Sequence, residues 1–488
     1  MSDTSSPTPG GPGAAAGAAP AEIDASCRLP LLVLFASAAA WLLIASAFGL
    51  ISSLKFHAPN FLADCAWFTY GRVHTAWLDA MLYGFCIQAG LGAGFWLFAR
   101  LGRAPLALGW LAAIGAVVWN LGVTVGVLGI LAGDSTGFET LEMPGYAAAI
   151  VFLGYVLIGA AGLLAFHQRR ERALFPSQWF IFTALFWFPW IYSSANLLLL
   201  KFPVRGVTQA VVAWWYANNL LNVWLSLVGL GVVFYFVPKI TRRELHSHYL
   251  ALFTFWMLLL AGSWCGIPNT APVPAWMPTA SMVATALMVL PLLTIGLSVY
   301  RTLDGKCSQL LAHPSLQFIG IGVAAFVIAG LMNVLGVFID FGHQLHFTWF
   351  EPARLQLHLY GFFAMTMFGA IYYIVPQIIG LAFPWAGLIR AHFWLAIAGL
   401  VFQILPLTLG GIVEALNLEN PNVAFITVVK ETLPFLRVST LGDLSIALGN
   451  LFLLVNLIGV MNRFFRLRAV TAYAQVTADL FEPTGVKP

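Results

Sequence analysis

Charge is what this chain has least of. Only 9% of its 488 residues are Asp, Glu, Lys or Arg, whereas 60% are hydrophobic, including 18 Trp and 39 Phe. A soluble domain carries roughly a quarter of its residues charged, so a soluble globular protein is excluded. Cysteine is scarce too. Cys27, Cys65, Cys86, Cys265 and Cys307 form no CxxC or CxxCH pair, which excludes c-type haem attachment to this chain. Cys65 and Cys265 fall near one membrane face, but nothing in their spacing argues for a disulfide. A Walker A motif and an HExxH motif are absent. The first 26 residues, with "SSPTPGGPGAAAGAAPAE", lack the apolar stretch of a signal peptide and read as a disordered Pro/Gly/Ala tail.

What is present is apolar sequence in windows of about 20 residues, the length a helix needs to cross a bilayer. Twelve such spans are expected, at 29–52, 76–100, 105–132, 145–167, 177–200, 211–237, 248–266, 277–300, 315–338, 355–376, 389–411 and 438–461. The fold class is therefore an all-α polytopic membrane protein. Its membrane domain covers 29–462, and a cytoplasmic C-terminal tail covers 463–488. With the N-terminus inside, 16 of the 23 Lys and Arg fall on the cytoplasmic side and 7 on the other, which places both termini in the cytoplasm. The net charge of +4 thus reflects topology and offers no nucleic-acid site.

The spans repeat. "FWLFAR", "FYFVPK" and "YYIVPQ" end the second, sixth and tenth spans, 139 and 138 residues apart, and "LYGF" recurs at Leu82–Phe85 and Leu359–Phe362, offset by 277. Two independent offsets that agree argue for three pseudo-symmetric four-helix units. In this register the polar entrances of the three helices coincide at Asp79, Asn218 and Gln356.

Four stretches resemble subunit I of haem–copper oxidases, and in particular the C-family, or cbb-type, catalytic subunit: "GRVHTAWLDAMLYGF", "WWYANNLLNVWL", "FWMLLLAGSWCGIPN" and "HFTWFEPARLQLHLYGFFAM". The resemblance implies a bacterial-type inner-membrane subunit of a respiratory complex, with a membrane-anchored or periplasmic cytochrome c as partner besides membrane lipid. It also implies a set of ligands that are missing. Without gaps, the second-helix haem ligand falls on Trp77 and the sixth-helix copper histidine on Asn218. The seventh-helix His-His pair falls on Pro268 and Asn269, the redox tyrosine on Gly262, and the two tenth-helix haem ligands on Arg354 and Gln356. Copper needs imidazole ligands and low-spin haem needs a nitrogen or sulfur donor on each face, so these replacements argue against copper and against the usual haems.

Two histidines stand close to the emptied haem positions. His74 lies one turn outward of Trp77, and His358 one turn beyond Arg354. They are candidate ligands of a single bis-histidine haem b, or interfacial histidines hydrogen-bonded to a loop. His246 and His248 sit on a basic loop, and His343 and His346 lack a third metal ligand. His57, His167, His313 and His392 read as solvated or capping side chains near membrane ends. Asp79 and Asp443 are carboxylates inside spans and hence functional candidates, with Arg72 or Arg354 as potential partners of Asp79. No catalytic residue is assigned. The leading expectation is a subunit that has lost oxygen chemistry and acts as an anchor or platform. The alternatives are an electron-transfer subunit with one haem b, a divergent terminal oxidase or nitric oxide reductase, and a transporter resting on Asp79 and Asp443. The outer segments 53–75, 339–354 and 412–437, rich in aromatic and apolar residues, read as loops that meet a partner.

Overall fold

The computed structural model describes residues 19–305, 312–338, 342 and 344–481. Cys307, His343 and tail residues 1–18 and 482–488 lie outside the described residues. Among the described residues, eleven helices are long and apolar enough to cross a membrane: α1 (Pro20–Leu54), α2 (Tyr70–Gly102), α3 (Gly109–Ala132), α4 (Gly145–His167), α5 (Pro176–Lys201), α6 (Val207–Thr241), α8 (Trp276–Leu303), α9 (Pro314–Leu335), α10 (Phe350–Ile379), α11 (Ala386–Leu418) and α12 (Phe425–Phe481). Between α6 and α8 lies a shorter apolar helix, α7 (His248–Trp264). Ser247 caps it by accepting from the Leu250 N–H at 3.3 Å. Its α-helical part is 13 residues, about 20 Å at 1.5 Å per residue, which is short of a bilayer core of about 30 Å.

The bundle is organised around three inner helices. The most apolar windows of α2, α6 and α10 are 100%, 89% and 83% buried, against 33–56% for the eight other long helices, which form the wall. Each inner helix contains a π-helical segment, at Ala80–Cys86, Asn219–Trp224 and Leu357–Ala364. Ala80 precedes Asn219 by 139 residues and Asn219 precedes Leu357 by 138, the spacing at which the terminal motifs repeat. Asp79, Asn218 and Gln356 each stand immediately before a π segment. We call the end of the bundle that carries them the mouth end.

At the opposite end the repeated motifs meet. The Trp96 ring of α2 lies 5.6 Å from Tyr235 of α6 and 5.9 Å from Tyr373 of α10, and Phe236 stacks on Trp96 at 5.8 Å. Trp96 Nε1 donates to Asp24 Oδ1 of α1 at 3.0 Å, and Arg100 pairs with the same oxygen at 3.3 Å. The guanidinium thereby neutralises a buried acid, and the indole hydrogen-bonds it, while the aromatic cluster seals this end of the three-helix interior.

Several expectations change. Residues 20–26 belong to α1 rather than to a disordered tail. The expected loop 412–437 is mostly helix, because α11 runs to Leu418 and α12 begins at Phe425. Likewise α12 continues through 463–481, where a tail was expected. Within 53–75, α2 already starts at Tyr70. His392 is not a solvated end residue: it is fully buried, with Nδ1 3.0 Å from the Tyr372 hydroxyl. Cys65 and Cys265 are free thiols.

Candidate functional site at the mouth end

The amides that open α6 are held by α7. A helix that stops inside the bundle leaves carbonyls without intrahelical donors. Asn218 Nδ2 donates to the Gly262 carbonyl at 2.9 Å, and Asn219 Nδ2 donates to the Ser263 carbonyl at 3.2 Å. Asn222 Nδ2 donates to Asn218 Oδ1 at 3.0 Å, and the Trp187 indole donates to Asn219 Oδ1 at 3.2 Å. The result is a closed amide network in which Asn218 has both polar atoms engaged. Gly266 completes it. Its φ is +96°, and a Cβ there would stand 2.6 Å from Cβ of Asn218, so only glycine fits.

Asn218, Pro268 and Asn269 line one cavity of about 930 Å³, and Gly262 is tied to its edge through Asn218. The positions that resemble a copper site are thus brought together, but as amides, a proline and a backbone carbonyl. This donor set does not fit copper.

The α2–α10 interface does not fit a haem at the ungapped positions either. Trp77 and Gln356 border a void of about 20 Å³ and a larger cavity of about 410 Å³, but an indole and an amide are not haem ligands, and the Trp77 indole lies where a Cβ on Gly49 of α1 would be 3.0 Å away. The two candidate histidines face different neighbours. His74 is exposed to an open cavity, with Nδ1 3.3 Å from the Ser52 hydroxyl and its ring stacked 5.2 Å from Tyr70. His358 is buried against Phe326 and Phe362, and its Nε2 donates to the Leu221 carbonyl at 2.8 Å. An imidazole whose Nε2 carries that proton cannot offer this nitrogen to iron. Among the described residues, no three His, Cys, Asp or Glu side chains converge as a metal ion requires.

Asp79 has neither expected partner. Arg72 donates to the carbonyls of Ala66 and Leu131, at 2.9 and 3.2 Å, and Arg354 pairs with Glu351 at 2.6 Å. Asp79 instead faces Glu142 of the α3–α4 connection, a residue that sequence reasoning passed over. Three phenols surround Asp79 and give it no proton. Tyr83 donates to the Thr140 carbonyl at 2.6 Å, Tyr216 to Tyr83 at 2.6 Å, and Tyr192 to the Ala148 carbonyl at 3.4 Å. Both oxygens of Asp79 and Oε2 of Glu142 therefore lack a hydrogen-bond partner. Backbone N–H groups of Thr140 and Glu142 serve the Glu142 carboxyl, so where its Oε2 faces Asp79 only a proton held between them can join the two groups. Burial pushes the Glu142 carboxyl up to about 8. The E-x-x-E spacing of Glu139 and Glu142, just before an apolar span, was the available signal.

Glu142 borders a second cavity, of about 410 Å³, together with His74, Trp77, Arg354, Gln356 and Asp443. Asp443 Oδ1 accepts from Gln403 Nε2 at 2.7 Å. The two cavities share a wall that includes Tyr70, Glu139, Trp349 and the Glu351–Arg354 pair.

Three buried helices in a helical wall, with their polar entrances grouped at one end, define a polytopic membrane protein whose would-be metal site is at the mouth. Residues 30–445 match the family model for cytochrome C and quinol oxidase polypeptide I, and the chain belongs to that family. It is 25% identical over 392 residues to the Cbb3-type cytochrome c oxidase subunit CcoN1 of Stutzerimonas stutzeri, covering 77% of this chain and 81% of that protein. It is also 25% identical over 429 residues to cytochrome c oxidase subunit 1 of Rhodobacter capsulatus, covering 83% and 79%. A nitric oxide reductase polypeptide of Stutzerimonas stutzeri is 26% identical over 403 residues, covering 75% and 80%. Among solved structures, a cryo-EM structure of a heme–copper terminal oxidase dimer shares the fold, with a TM-score of 0.72 over 89% of this chain and 84% of that one at 14% identity. This is a multi-pass membrane protein that resembles bacterial inner-membrane oxidase subunits, without an evident metal-binding cluster among the described residues.

Proposed function

We propose that this chain is a subunit that has given up the copper–haem oxygen centre and serves as a membrane platform for a redox partner. A membrane-anchored or periplasmic cytochrome c is the partner that the relatives' names suggest. The observation that carries this reading is the side chain at the copper-ligand position: Asn218 is fully engaged in holding the end of α7. The chain is not catalytic by itself in this reading. Twelve crossings follow if α7 counts as one despite its length, in three four-helix units. The common register of the π segments supports those units. Both termini then lie in the cytoplasm, the mouth end faces outward, and kinship is with the C-family. Exposed aromatic and apolar side chains at that end, among them Trp67, Phe347 and Phe425, supply a docking face.

Purification of a tagged chain in mild detergent tests the reading. Metal analysis gives no stoichiometric copper, carbon monoxide leaves the reduced spectrum unshifted, and a haem-bearing partner co-purifies. Stoichiometric copper, or a monomer with no partner, overturns it. A haem b that vanishes in both His74→Ala and His358→Ala would instead establish the electron-transfer alternative.

A further inference from the structure

At the end opposite the mouth, α1, α10 and α12 meet in a basic corner. Between Asp443 and Asp479 the chain carries no acid, yet "RFFRLR" puts three arginines at 463–468, just past the apolar stretch of α12. A guanidinium from α1 joins them. Arg28 Nε donates to the Ile378 carbonyl in the last turn of α10 at 2.7 Å, which fixes the side chain. The Phe464 ring is buried beneath it. Its centroid lies 5.2 Å from the Arg28 guanidinium carbon and 4.7 Å from that of Arg468. Helix side chains lean toward the N-terminus, so Arg468, one turn past Phe464, reaches back toward the membrane boundary. Two like charges thus converge on one ring, close enough to repel. Among the described residues, neither has a carboxylate within ion-pair distance. Asp24, one turn before Arg28, is already engaged, since its Oδ1 accepts from Trp96 and pairs with Arg100. A ring attracts the charge but offers no lone pair, so the remaining N–H donors of both forks stay unmet.

We propose that Arg28 and Arg468 hold the phosphodiester of an anionic phospholipid beside Phe464, tying α1, α10 and α12 together at this end of the bundle. The planar forks suit phosphate oxygens, which accept charge-assisted bonds from two guanidiniums at once. The anion also removes the repulsion between the two arginines. Leu29, Phe465 and Leu467, each more than half exposed, flank the corner and offer apolar surface to the acyl chains. The corner lies where two membrane spans end, the depth at which lipid phosphates stand. Free phosphate would make the same bonds to the guanidiniums but gain nothing from the apolar flanks. The site does not depend on what the mouth end holds.

Native mass spectrometry of the full chain in detergent reads bound lipid directly. Dioleoylphosphatidylglycerol is the probe. Dioleoylglycerol supplies the same chains without phosphate, and inorganic phosphate supplies the anion without chains. The chain retains phosphatidylglycerol, does not retain dioleoylglycerol, and does not release the lipid to millimolar inorganic phosphate. Arg28→Gln and Arg468→Gln each weaken retention about tenfold, as the loss of a charge-assisted bond requires. Arg301→Gln, in the last turn of α8, removes a charge at the same end of the bundle and leaves retention unchanged. Equal retention of dioleoylglycerol would overturn the proposal by showing that the chains alone bind. Displacement by inorganic phosphate would overturn the lipid as ligand, and an equal loss in Arg301→Gln would overturn the site in favour of diffuse charge. Undiminished retention by Arg468→Gln overturns it as well. Arg468 lies on an exposed stretch of α12, so that variant keeps the test open should Arg28→Gln, which frees the Ile378 carbonyl, fail to fold.

Discussion

The two halves of the mouth end solve the problem of buried polar groups in opposite ways. At the α6–α7 side, where a copper site is expected by resemblance, Asn218, Asn219 and Asn222 bond to one another and to the carbonyls of Gly262 and Ser263. At the α2 side, Asp79 and Glu142 face each other and only their shared proton serves them, so part of their acceptor capacity goes unmet. A satisfied network stabilises, each hydrogen bond by about 1 kcal/mol net, whereas unsatisfied buried acceptors cost about 1–3 kcal/mol each. The difference separates a satisfied amide network from a pair of buried acids that meet through a shared proton.

The comparison breaks most visibly at Gly266. Valine there meets both a left-handed φ of +96° and the Asn218 side chain. We expect Gly266→Val to lower stability by about 2–4 kcal/mol, read as a fall in the detergent unfolding midpoint. A wild-type midpoint would show that the α7 end is not held as described.

The acidic side is sharpened by pH. Glu142 ordinarily titrates near 4.5 and is raised to about 8 in the fold. Between those values the folded chain holds a proton that the unfolded chain has released, so stability falls as pH rises through this window. The slope is about 1.4 kcal/mol per pH unit for each proton the Asp79–Glu142 pair retains, so about 2 kcal/mol between pH 6 and 7.5 for the proton on Glu142. Unfolding midpoints at the two pH values measure it, and Glu142→Gln should flatten the difference. A wild-type midpoint that rises with pH would contradict the buried acid.

Asn218→Ala follows, with an expected loss of about 1–2 kcal/mol from the orphaned Gly262 carbonyl and Asn222 amide. Asn218→His, which restores the resembled ligand type, should bind no stoichiometric copper by metal analysis, because Pro268 and Asn269 still offer no imidazole.

The register of the inner helices was legible in the sequence because its markers are large. Trp96, Tyr235 and Tyr373 stand in the repeated motifs and meet in one aromatic cluster, so the spacing that places them is visible as text. The alignment of Asp79, Asn218 and Gln356 came with that register. What the opening amides bond was not legible, since it depends on α7 ending early, and an apolar run gives no sign of where a helix stops inside a bundle. Glu142 was missed for a related reason. A loop carboxylate looks solvated in sequence, and only the fold of residues 133–144 against α2 buries it. His74 and His358 read alike on a helical wheel, yet one faces open space near α1 and the other bonds α6.

The smallest effect decides a question that the sequence left open. Arg354 stood both at a degenerate haem-ligand position and as a potential counter-ion for Asp79. In the structure it forms a part-exposed i,i+3 pair with Glu351 at 2.6 Å, with side chains 21% and 41% exposed. Pairs of this kind contribute about 0–1 kcal/mol. Removing the sole counter-ion of a buried carboxylate would instead cost about 3–5 kcal/mol. Arg354→Gln, measured by detergent unfolding beside Asp79→Asn, separates the two cases. We expect a loss below about 1 kcal/mol, additive with Asp79→Asn because the two side chains share no partner. A large loss that Asp79→Asn relieves would return Arg354 to Asp79 and leave Glu142 without its role.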